Sequence, residues 1–193
     1  MRRREFIKAA LVVATFSPLG ALAQPSRKIP RIGVLWHAGS AQDEGSNFPA
    51  LLKGFSDLGY IDGRNIVLEH RFPNEVPAQF ERMAAELAAS GVDVLVAIGA
   101  NAAPYAKAAT KSIPVVFAIV PDPLGSNLVK SLARPEANVT GFSNSASDLV
   151  GKRIELLKEL VPELSRVALL VNSNSHGQSA WQGCAGGDAV ARR

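Results

Sequence analysis

Hydrophobic and polar positions along this chain switch repeatedly between two periods, and the switching predicts its elements. Residues 31–36 (Arg-Ile-Gly-Val-Leu-Trp) read as a strand. Residues 47–58 read as a helix, with Phe48, Leu51, Leu52, Phe55 and Leu58 along one face. Gly59 then suits a helix C-cap, and Asp62-Gly63 a turn. Residues 65–72 alternate, with Ile66, Leu68, His70 and Phe72 on one side and Val67, Glu69 and Arg71 on the other. That is a second, half-buried strand. Residues 77–90 form a helix ended by Gly91. Residues 92–98 and 113–120 are almost wholly apolar and predict two strands, with a helix over 101–111 between them. A short helix is expected over 124–132, a strand over 139–143, a helix over 148–161 and a sixth strand over 166–171.

Strands separated by helices mean right-handed βαβ units and a parallel sheet. The two continuous apolar strands belong in its interior, where both faces are covered. The alternating second strand belongs at an edge, as the doubly wound order 2-1-3-4-5 requires. The fold class is therefore α/β with a parallel doubly wound sheet. In that order the crevice at the C-terminal ends of the strands, where the chain reverses direction, is the default ligand site. Three loops reach it: 37–46 after the first strand, 99–101 after the third and 121–126 after the fourth.

The first loop is small and polar; it offers backbone N–H groups, and Ser40 could hold a ligand carboxylate. A plain solvent loop is the alternative, and His37 fits a structural place at the strand end. In the second loop Asn101 suits the N-cap of the following helix, whose free N–H groups favour an anion or carbonyl oxygen. In the third, Asp122-Pro123 has the order of an N-cap followed by proline at N1. Asp122 could also accept a ligand ammonium. His70, on the apolar side of an edge strand, reads as a packing residue.

Signatures of catalysis are missing. The first strand is not followed by Gly-x-Gly-x-x-Gly, and the chain has no P-loop and no Gly-x-Ser-x-Gly elbow. His37, His70 and His176 show no nucleophile–base pairing, and the single cysteine, Cys184, excludes an internal disulfide and a multi-cysteine metal site. No cofactor and no metal are expected.

Charge changes the picture at the N-terminus only. The chain of 193 residues carries a formal net charge of +4, but Arg2, Arg3, Arg4 and Lys8 against Glu5 concentrate +3 of it in residues 1–23. The rest is nearly neutral, which argues against nucleic acid as a partner. Those first residues have a basic start, an apolar stretch over 9–23 and the small residues Ala21 and Ala23 before Gln24. This is the layout of an export signal peptide. The apolar stretch is shorter than the about 20 residues of a spanning helix, so no membrane span is expected after cleavage. Arg3-Arg4-Glu5-Phe6-Ile7-Lys8 fits the twin-arginine motif better than an ordinary Sec start. Either route predicts a periplasmic protein, with residues 24–30 as a leader.

Several short motifs resemble one known family when taken together. They are Ile32-Gly33-Val34-Leu35; Gly54-Phe55 through Leu58-Gly59-Tyr60 and Asn65-Ile66; Ile113-Pro114-Val115-Val116-Phe117; Asp122-Pro123-Leu124-Gly125; Leu132-Ala133-Arg134-Pro135; and Asn138-Val139-Thr140-Gly141. This string resembles the ABC-transporter substrate-binding proteins related to the tryptophan/tyrosine-binding type. The resemblance implies a type I periplasmic-binding-protein fold, in which two α/β lobes close on a small-molecule solute and deliver it to a membrane permease. It places lobe one at 31–145 and the start of lobe two at 146–172. By position it implies Ser40, Asn101 and Asp122 as ligand-binding residues, with Ser143 near the hinge, and no catalytic residue. The solute does not transfer with the resemblance, and an amino-acid-like molecule is one candidate.

After residue 172 the apolar pattern stops, and residues 173–193 are an aberrant stretch rich in Gly, Ser and Ala. A frameshift or premature stop after Val171 would explain this and would leave a binding protein inactive; a flexible tail is the alternative. A periplasmic sensing or partner-binding module without transport, and a flavodoxin-like secreted enzyme, remain the other functional classes.

Overall fold

The computed structural model describes residues 28–135, 137–144 and 149–168. The export signal, most of the leader, residues 169–172 and the 173–193 stretch lie outside the described residues. The elements in chain order are β1 (Arg31–Leu35), α1 (Asn47–Asp57), β2 (Val67–Arg71), α2 (Pro77–Ala89), β3 (Val94–Ile98), α3 (Ala102–Ala109), β4 (Val115–Val120), β5 (Val139–Ser143) and α4 (Val150–Leu160). Five strands form one sheet in the order β2-β1-β3-β4-β5. Every pairing is parallel. The doubly wound topology read from the sequence is the one observed, with the alternating strand β2 at an edge and the apolar strands β3 and β4 inside.

The sheet is covered unequally. On one face α2 and α3 close a large apolar core, in which Leu35, Phe80, Ala84, Leu87, Leu95, Ala102, Ala106, Val115 and Phe117 are buried. Alanines on α3 let that helix lie close to the strands, and the Phe80 ring stacks on Tyr105 with centroids 5.2 Å apart. The opposite face holds a smaller cluster of Val34, Trp36 and Ile98, against which Phe48, Leu51 and Phe72 pack. Helix α1 fully buries none of its residues, and Leu58, expected on its apolar face, is exposed.

His70 is part of this second cluster. Its ring lies 5.2 Å from Phe48 and 6.0 Å from Trp36. The Trp36 indole N–H donates to His70 Nδ1 at 3.0 Å. Burial pushes the His70 imidazole below the usual histidine range, and the nearby Asp62 charge opposes this. A packing role is what the structure gives this residue.

One expectation fails. No helix forms over 124–132. Ser126 N–H donates to the Asp122 carbonyl and Leu128 N–H to the Pro123 carbonyl, which makes about one turn, and then Asn127 takes φ 55°. A left-handed residue ends the helical path, and Leu128 and Val129 turn inward to the core. No strand begins over 166–168, the described part of the expected sixth strand. Residues 169–171, the rest of that expected strand, lie outside the described residues.

The β4–β5 pair carries a bulge. Phe117 pairs with Gly141 and Val120 with Ser143, so three steps along β4 match two along β5. Ile119 absorbs the extra residue at φ 59°, which is strained for a β-branched side chain. The bulge re-aims the chain as it enters the 121–126 loop.

Candidate functional site

Parallel pairing brings the C-terminal ends of all five strands to one edge, and the loops there form the candidate site. The loop after β1 is closed from inside. Glu44, 4% exposed, reaches back so that one carboxylate oxygen accepts the backbone N–H groups of His37 (3.0 Å) and Ala38 (2.9 Å). Those N–H groups, expected to be open to a ligand, are used within the loop. The other Glu44 oxygen is buried, lies 3.1 Å from His37 Nε2, and has no hydrogen-bond partner among the described residues.

Ser40 starts the tight turn of this loop. Its hydroxyl donates to the Asp43 carboxylate at 2.7 Å and accepts the Asp43 N–H at 3.2 Å. Its carbonyl accepts the Glu44 N–H.

The loop after β2 joins the first. Asn74 N–H donates to the Ala38 carbonyl (3.0 Å) and Glu75 N–H to the His37 carbonyl (2.9 Å). Both Asn74 and Glu75 sit in left-handed conformations, at φ 55° and 56°. Such backbone persists only where surrounding bonds over-determine it. The Glu75 carboxylate then bridges two loops: Oε1 lies 3.0 Å from His37 Nδ1, and Oε2 accepts from Asn101 Nδ2 at 2.6 Å. An ionised carboxylate only accepts, so His37 Nδ1 carries the proton and the Asn101 amide turns its NH₂ toward Glu75.

Asn101 thus corrects its expected role. It precedes α3 in helical conformation and makes no side-chain cap. Its Oδ1 is shielded from solvent with no hydrogen-bond partner among the described residues. A buried acceptor left unpaired costs about 1–3 kcal/mol. Gly99 permits this arrangement: at φ 98° it suits glycine, and a Cβ there would meet the His37 ring at 3.2 Å.

At the other side of the crevice, Asp122 caps a turn in place of the expected helix. Oδ1 accepts the Gly125 N–H at 2.7 Å, and its carbonyl accepts from the Ser126 hydroxyl at 2.6 Å. Ser143, at the end of β5, donates to the Pro121 carbonyl at 3.2 Å. This bond joins Ser143 to the Asp122 loop. Ser40, Asn101, Asp122 and Ser143 all stand at the same edge of the sheet.

Glu44 and Glu75 were not among the candidates from sequence. For Glu75 the signal was topological: in the order 2-1-3-4-5 the loop after β2 stands beside the loop after β1. No group of three or more His, Cys, Asp or Glu side chains among the described residues could hold a metal ion. No described helix is long and apolar enough to cross a membrane.

A parallel sheet of this order gathers its loops over one edge, the place where ligands bind in open α/β sheets. Residues 44–181 match the family model described as ABC transporter substrate binding protein, and the chain belongs to that family. A tyrosine-binding protein from Clostridioides difficile is 34% identical over 124 residues, which are 64% of this chain and 35% of the relative. A conserved domain protein from Vibrio cholerae superposes with a TM-score of 0.72 at 30% identity, over 81% of this chain and 52% of the other. The ABC domain from Streptococcus pneumonia in complex with L-Trp gives 0.69 at 30% identity, over 80% and 51%. The chain therefore spans about a third of the length of the tyrosine-binding relative and about half that of these two solved proteins.

Proposed function

We propose that this chain serves as the solute-binding component of an ABC uptake system, and that the 31–145 sheet is the first of two lobes that enclose a small amino-acid-like molecule. The observation that carries the reading is the crevice itself: in a family of substrate-binding proteins, four loops meet at one edge of a doubly wound sheet. The names of two relatives, one tyrosine-binding and one in complex with L-Trp, favour an aromatic amino acid. Ser40, Asn101, Asp122 and Ser143 are the proposed contacts. Ser40 and Asp122 supply opposite chemistry, a hydroxyl for a carboxylate and a carboxylate for an ammonium.

Residues 146–172 are proposed to begin the second lobe. In support, α4 fully buries none of its residues and exposes Leu156, Leu157 and Leu160. An apolar helix face of this kind suits a further layer. Export to the periplasm by the 1–23 signal and delivery to a membrane permease complete the reading. Calorimetric titration with L-tyrosine and L-tryptophan tests it. Saturable binding of either, lost on Asp122→Ala, is expected; no heat with either amino acid would overturn the amino-acid assignment.

A further inference from the structure

We propose that Glu75 is a positioning residue for solute selectivity, acting through Asn101; this rests on the solute-binding reading above. Three observations meet at its carboxylate.

The first is its backbone. Glu75 stands at φ 56° directly after Asn74 at φ 55°, yet its side chain is half exposed. Burial is not what this conformation achieves. It places a carboxylate between the loops that follow β1 and β3.

The second is the bridge. One oxygen engages His37 Nδ1 at 3.0 Å and the other accepts from Asn101 Nδ2 at 2.6 Å. Both oxygens are committed, one to each loop, so neither group can turn without breaking a charge-assisted bond.

The third is what the bridge leaves over. With its NH₂ held by Glu75, the Asn101 amide can offer only its carbonyl oxygen to anything else. That oxygen is shielded from water and has no partner among the described residues. It is set for a donor that another molecule brings. A solute ammonium meets that need and a solute carboxylate does not. Without Glu75 the amide could rotate and offer either end.

Glu75→Gln tests this, because glutamine keeps the shape but holds only one acceptor oxygen. Binding of L-tyrosine, its des-amino analogue 3-(4-hydroxyphenyl)propanoate and tyramine is compared by calorimetry on the full chain. Glu75→Gln is expected to weaken L-tyrosine about tenfold while hardly changing the des-amino analogue, so the preference for the amine collapses. Asn101→Asp alone, which sets two carboxylates together, is expected to lose a similar factor. The double variant Glu75→Gln/Asn101→Asp restores a donor–acceptor pair with its polarity reversed and keeps an acceptor at 101. It is expected to recover L-tyrosine affinity to within about threefold. In the ligand-free wild type, the Asn101 side-chain amide protons should show a downfield, exchange-protected NMR signal that Glu75→Gln abolishes. An unchanged preference for the amine in Glu75→Gln, or no recovery in the double variant, overturns the role of Glu75 while leaving solute binding intact. If the wild type binds none of the three probes, the solute reading falls, and the selectivity role falls with it.

Discussion

The two sides of the crevice are built on different principles. On the β1–β2–β3 side, bonds run between loops: the Asn74 and Glu75 N–H groups hold the Ala38 and His37 carbonyls, and the Glu75 carboxylate joins His37 to Asn101, while Glu44 closes the first loop from within. On the β4–β5 side, the Asp122 bonds to Gly125 and Ser126 lie within a single turn, and a hydroxyl bond from Ser143 to the Pro121 carbonyl ties that loop to the end of β5. A cross-linked half resists local change until a tie is cut and then loosens in several loops together. A half in which the main charged side chain caps its own turn loosens first at that turn. Rigid positioning therefore belongs to the Asn101 side and adaptability to the Asp122 side.

The largest test of this contrast is to cut the buried tie. Glu44→Ala removes the acceptor of two backbone N–H groups and should cost about 3 kcal/mol in denaturant unfolding. Amide exchange should accelerate at His37, Ala38 and Glu75 together, because the Glu75 N–H is bonded to the His37 carbonyl. Protection confined to change in the 37–44 loop would break the contrast.

Gly141→Ala sharpens it from the other side. A Cβ at Gly141 would fall 2.1 Å from the Phe117 carbonyl oxygen, so the β4–β5 ladder must open. A loss of about 2 kcal/mol is expected, with the exchange change centred on β4 and β5. Asp122→Ala should cost about 1 kcal/mol, the worth of a capping side chain, with the exchange change centred on its own turn.

The smallest effect comes from His70, beneath the cross-linked half. Its folded-state pKa is lowered by burial, so the unfolded chain binds more protons than the folded one between the lowered value and 6.5. Its contribution is fully present above the unfolded value and is lost as pH falls through the folded one. Protonation would also end the Trp36 indole bond to Nδ1. Stability measured from pH 7.5 downward should fall in the wild type and fall less in His70→Gln; parallel curves would remove His70 as the cause.

Legibility from sequence followed the range of the interactions. The alternation of β2 and the unbroken apolar runs of β3 and β4 reflect how many sheet faces each buries, so strand order was readable. The Asp122 capping bond was readable, though it closes a turn and no helix, because the side chain and its partner lie three residues apart. The helix expected over 124–132 was misread, since apolar spacing does not show that Asn127 turns left-handed while Leu128 and Val129 go inward. Asn101 was misread in the opposite sense. Its cap would be local, but a carboxylate 26 residues away takes the amide.

What the sequence determined by itself was the periodicity of its elements, and with it a parallel α/β sheet whose loops gather at one edge. Periodicity is written residue by residue, because burial on a strand or helix depends on neighbours two to four positions away. What only the tertiary structure decided was which polar groups at that edge meet. Glu44, Glu75, His37 and Asn101 come from three separate loops, and nothing in their spacing brings them together. Their meeting depends on strand register, on the left-handed turn at Asn74 and Glu75, and on the absence of a side chain at Gly99. Hydrogen bonds are short-ranged and directional, so positions that the chain separates by dozens of residues are joined only once the sheet has set their distances.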